Sequence, residues 1–193
     1  MKIIYTKDKE FKTEFENILK RAKSDIKGVS KIVENIIDEI VEDGNEALKR
    51  HIEQFDKWIV KSDDELLISQ DSMKKAYETL DESLKKSLHI AYERIKAYHE
   101  KQLPKSWIDF EENGTILGQK VTAVDRAGLY IPGGKAAYPS SLLMNAIPAK
   151  VAGVKEIVVC TPTPNNEVNE LLLAACHLCG VSKVYKVGGA SAI

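Results

Sequence analysis

Cysteine is scarce, with three in 193 residues. That small, odd number makes no disulfide framework and leaves a reducing cytoplasm as the expected setting. Long apolar runs are missing too. None approaches the roughly 20 residues that a membrane span needs. The opening MKIIYTKDKEF has no long apolar segment and no small-residue cleavage site, so no secretory signal is expected. Neither sign of charge dominates: the net charge is −1 and there is no basic tail. Nucleic acid and membrane surfaces are therefore not expected as partners. Internal repeats and low-complexity tracts are absent.

What remains is the composition of a soluble globular protein, 44% hydrophobic and 30% charged. The first hundred residues read as helical. Phe11, Phe15, Ile18 and Leu19 recur at helical spacing, and a break is expected over residues 24–29, which contain Gly28. Ile32, Val33, Ile36, Ile37, Ile40 and Val41 form the stripe of a second helix. Asp43-Gly44-Asn45 reads as a turn, because glycine costs about 1 kcal/mol in a helix interior. Residues 2–5 suit an edge strand or an extended arm. Residues 58–67 alternate and leave the helical region. A long helical pattern over 70–102, divided near Asp81-Glu82, ends at Pro104.

The second half alternates strand and helix. Residues 107–124 suggest a hairpin around Gly114 and Gly118. Residues 126–131 (RAGLYI) read as a strand broken by Pro132-Gly133-Gly134, and an apolar helix runs from Pro139 to Gly153. EIVVC (156–160) has the unbroken apolar character of a buried parallel strand. A helix over 166–179, capped by Gly180, and a strand over 183–187 complete the pattern. The expected fold is α/β: a mainly helical N-terminal arm over residues 1–103, then an incomplete Rossmann-like parallel sheet with flanking helices over 104–193.

Candidate chemistry concentrates where the first parallel strand meets its glycine turn, since open α/β sheets place ligands there. Gly133 and Gly134 permit either close approach to a cofactor or simply a tight turn. Tyr130, at the strand end, could stack on a nucleotide or be a half-buried strand aromatic. Ser140 and Ser141 suit capping of the following helix, with anion binding as the sharper alternative. Pro148 lies within that helix and is expected to kink it near Met144. Cys176 and Cys179 make a lone CxxC. A structural zinc site needs four ligands, so they read most simply as small core residues. His99-Glu100 does not continue into HExxH, and no serine–histidine–acid grouping follows from spacing.

GLYIPGG followed by YPSSLLMNAIPAKVAGV resembles the histidinol dehydrogenase family. Residues 44–56 (GNEALKRHIEQFD) look like that family's G-D-x-A-L…F-D segment. Residues 95–102 (IKAYHEKQ) are similar to its I-x-x-F-H-x-x-Q helix end, 114–119 to its G-x-x-L-G-Q hairpin, and 187–193 (VGGASAI) to its V-G-G-A-Q-A-I. The resemblance implies oxidation of L-histidinol to L-histidine through the aldehyde, the last step of histidine biosynthesis, with NAD and zinc, by a homodimer. It implies cofactor contact at Tyr130, Gly133 and Gly134. It places the zinc ligands and the catalytic glutamate–histidine pair beyond Ile193, so neither catalytic nor metal residues are assigned here. The chain is accordingly expected to be an N-terminal portion, inactive alone; a nucleotide-binding or dimerisation module without catalysis is the alternative. Ser191 stands where the family has a cofactor-contacting glutamine, and serine cannot give the same amide hydrogen bonds.

Overall fold

The computed structural model describes residues 3–133 and 138–193, without side chains for residues 21–27. Gly134 and Lys2 thus lie outside the described residues. The chain divides into two compact units, Met1–Leu48 and Lys49–Ile193.

The first unit is built on α1 (Phe11–Asp43), one helix of 33 residues. The expected break near Gly28 is absent. One glycine costs about 1 kcal/mol, too little to interrupt a helix extended on both sides. Residues 3–5 form no strand. Phe11 and Phe15 stack at 5.5 Å between ring centroids. Val33, Ile36 and Ile40 are half-buried, while Phe15, Ile18, Leu19, Ile32, Ile37 and Val41 of the same helix stay exposed. Gly44 ends the helix where the turn was expected. Its φ of 56° and ψ of −127° suit glycine, and its N–H donates to the Ile40 carbonyl at 2.9 Å. The next helix, α2 (Asn45–Asp56), crosses the division between units.

In the second unit the chain leaves α2 through Lys57, whose φ is 61°, and continues without regular structure to residue 61. A short 3-10 turn, Asp63–Leu66, leads into β1 (Leu67–Ile68). Two helices follow, α3 (Gln70–Thr79) and α4 (Glu82–Glu100), divided where the sequence indicated. Each begins on a side-chain cap. Ser69 accepts from the Ser72 N–H, and Asp81 accepts from the N–H groups of Ser83 and Leu84. A hairpin of β2 (Trp107–Phe110) and β3 (Ile116–Gln119) leaves all eight of its strand residues exposed.

The α/β pattern then runs β4 (Arg126–Tyr130), α5 (Pro139–Val151), β5 (Glu156–Cys160), α6 (Glu170–Cys179) and β6 (Lys183–Tyr185). β4, β5 and β6 pair in parallel, with Tyr130 beside Cys160 and Cys160 beside Tyr185. The sheet order is β1-β6-β5-β4, and β1 pairs antiparallel to β6. The sheet is thus mixed at one edge. Two residues carry too little pattern for β1 to be read from sequence.

Two successive crossovers moving the same way across the sheet put α5 and α6 on one face. There they pack on each other; α3 covers α6 and α4 covers α5. Met73, Leu142, Ile147, Val159, Cys176, Cys179 and Val184 are sealed in this core. β5 buries Ile157 and Val159 but leaves Val158 half-buried, so its other face is less covered than an unbroken apolar run suggested. Pro148 sits inside α5 without ending the helix. At the opposite end from the glycine turns, Glu156 takes Arg126 at 2.7 Å and Lys183 at 3.2 Å, linking the starts of all three parallel strands.

Candidate functional site

The carboxyl ends of three parallel strands converge with their loops. Hydrogen bonds continue the ladder past the strands: Ile131 N–H to the Cys160 carbonyl at 2.9 Å, and Thr161 N–H to the Tyr185 carbonyl at 3.1 Å. This is the end of an open α/β sheet where ligands are met.

Tyr130 closes β4 and is 36% exposed. Its hydroxyl accepts the Gly189 N–H at 3.2 Å, joining the β4 end to the loop after β6. Gly189 has φ 63° and ψ −158°, a conformation essentially confined to glycine.

Gly133 lies against the loop after β5. A Cβ there would stand 2.6 Å from the Pro162 carbonyl oxygen and 3.1 Å from Thr161 Oγ1. Gly188 is similarly confined, since its Cβ would overlap Pro162 Cβ and lie 3.0 Å from Pro162 Cα. Pro162 is thus wedged between two glycines from neighbouring strand ends. Close packing of the loops already demands both glycines.

Thr161 and Thr163 flank this proline, 1% and 0% exposed. Their Oγ1 atoms have no hydrogen-bond partner among the described residues. The Thr163 N–H is satisfied by the buried Asp56 carboxylate at 3.0 Å. His51, 4% exposed, places Nδ1 2.9 Å from Ser191 Oγ. Asp56 and His51 both come from α2, and sequence reasoning missed them. A histidine and an acid in a charged helix carry no local signal of partners more than a hundred residues away.

Ser140 and Ser141 do not cap α5. The N-cap is Tyr138, without a side-chain cap bond, and Pro139 takes the first helical position. Both serines therefore fall one residue or more inside the helix. The Tyr138 carbonyl instead accepts from Ser141 and Leu142 at 3.0 and 3.3 Å.

The CxxC belongs to the core. Cys176 and Cys179 are fully buried. Burial pushes both thiols up, the second to about 12 despite nearby Lys150. Among the described residues no group of three or more His, Cys, Asp or Glu could hold a metal ion. No helix among them is long and apolar enough to cross a membrane.

A family model described as histidinol dehydrogenase matches residues 19–193. Histidinol dehydrogenase of Sulfurimonas denitrificans is 69% identical over 188 residues, covering 97% of this chain and 44% of that protein. The Helicobacter hepaticus enzyme is 61% identical over 193 residues, covering 100% of this chain and 44% of that protein. Among solved structures, histidinol dehydrogenase from Elizabethkingia anophelis superposes with a TM-score of 0.77 at 28% identity, covering 85% of this chain and 37% of that one. The chain spans less than half the length of the curated relatives it matches.

Proposed function

The chain belongs to the histidinol dehydrogenase family, and we propose that it supplies one wall of the NAD site of an enzyme that oxidises L-histidinol to L-histidine through the aldehyde. The observation that carries the reading is the placement of Tyr130. It ends β4 with its ring partly exposed and its hydroxyl fixed by the Gly189 N–H. A planar aromatic held at a sheet's carboxyl end offers a face or an edge to a nucleotide.

The residues fit part of such a site. Tyr130 lines it. Gly133 and Gly188 let the loops close on Pro162 and bring backbone near the ligand. Gly134, next in the turn, joins the assignment on the resemblance alone. When bound, NAD supplies the hydride acceptor; the work of this chain is to bind and orient it.

Zinc does not fit here, since the described residues hold no group of three or more His, Cys, Asp or Glu that could take it. We assign the zinc ligands, the proton-transfer residues and most of the histidinol pocket to the part of the relatives that this chain does not cover. Residues 104–193 would begin the Rossmann-like domain and 1–103 its helical companion, in a cytoplasmic homodimer completing histidine biosynthesis.

Calorimetric titration of the 193-residue chain with NAD⁺ tests the reading. Weak binding that falls further in Tyr130→Phe and Tyr130→Ala is expected. A flat titration at millimolar cofactor would overturn the nucleotide site. No NADH should form with histidinol and zinc, because the described residues offer no cluster to hold the metal; measurable turnover would overturn that part.

A further inference from the structure

We propose that His51 is a positioning residue, acting through Ser191 to hold the Gly189 amide on the Tyr130 hydroxyl. The distances form one continuous path. His51 Nδ1 meets Ser191 Oγ at 2.9 Å. Ser191 lies in the 3-10 turn Ala190–Ala192, which closes on Gly189 through the Ala192 N–H at 3.2 Å. The Gly189 N–H then reaches Tyr130 at 3.2 Å.

Gly189 has no Cβ to pack and a backbone that only glycine readily adopts. His51, by contrast, is buried on a regular helix. A hydrogen bond to a rigid buried partner fixes a loop that local propensity leaves free.

Asp56 supplies an independent parallel. Five positions along the same helix, it takes the Thr163 N–H at 3.0 Å and so ties down the loop after β5. One helix thereby anchors two of the loops that meet at Pro162.

The inference rests on the nucleotide reading only for its consequence in binding, and the test separates the two. Ser191→Ala, Ser191→Thr and His51→Gln would be made in the 193-residue chain. Amide exchange would be followed at Gly189, with the core amide of Val159 as reference. In Ser191→Ala the Gly189 amide should exchange roughly five- to tenfold faster, as expected for one lost hydrogen bond, while Val159 is unmoved. His51→Gln should do the same, and Ser191→Thr, which keeps the hydroxyl, should restore protection. NAD⁺ affinity should fall in Ser191→Ala and His51→Gln and recover in Ser191→Thr. If the parent chain binds no NAD⁺, the nucleotide reading falls while Gly189 exchange still judges His51. Unchanged exchange at Gly189 in Ser191→Ala, or equal acceleration at Gly189 and Val159, overturns the proposal.

Discussion

Gly188 lies so close to Pro162 that a Cβ on the glycine would overlap the proline ring. The contact joins the loop after β6 to the loop after β5, and backbone lies close behind the ring. Gly188→Ala should therefore lower stability by about 1–3 kcal/mol, the usual cost of overpacking. Pro162→Ala in the same chain should return little of the loss, because the nearest clashing atoms, the proline Cβ and Cα, persist in alanine. Urea denaturation of both single variants and the double variant would measure the coupling.

Helix α6 is capped by a side chain and α5 is not. The Asn169 side chain accepts the Leu172 N–H at 3.1 Å. Asn169→Ala should cost about 1 kcal/mol. Ser141→Ala in the first turn of α5 should stay within about 0.5 kcal/mol, since its side chain caps nothing. Chemical denaturation of the two variants side by side distinguishes a cap from a serine that merely sits near a helix start.

Gly28 is a helical residue, and a Cβ there would meet nothing within 4 Å. Gly28→Ala should raise the helicity and thermal stability of the first unit, by about 0.5–1 kcal/mol. Gly44→Ala should act oppositely, because φ of 56° strains any residue with a Cβ. Circular dichroism melts of both would show opposite signs.

Glu156 makes stability depend on pH. Arg126 first, and Lys183 second, hold its carboxyl below the ordinary 4.5. A carboxylate with a depressed folded-state pKa contributes stability that is complete above its unfolded value and lost as pH falls through the folded one. The contribution should thus be present at neutral pH and disappear below about 4.5. In Glu156→Gln the urea midpoint should be slightly lower at neutral pH and should converge with the parent in acid. Added salt should narrow the neutral-pH gap, because the groups are open to solvent.

Much of the second unit could be read from local signals. Ser69, Asp81 and Gly180 mark helix boundaries by mechanisms that act within a few residues. The apolar run at 156–160 and the glycine turn after Tyr130 place the sheet's carboxyl ends. Gly28 was misleading because a local penalty was outweighed by the helix on either side. The serines after Pro139 were misread because proline claims the first helical position. Hidden altogether were the ties that shape the site: His51 to Ser191, Asp56 to Thr163, and Gly188 against Pro162. Each depends on a partner from a remote element, and no window of sequence contains both members.

The two sides of the sheet are unlike as templates. On one side β1 offers only two residues, too short an edge to recruit another strand. On the other, β4 is five residues long, carries Gly128 at its middle, and pairs only with β5 among the described residues. The longer open edge of the sheet is therefore the one formed by Arg126–Tyr130, next to the one aromatic ring the nucleotide reading depends on.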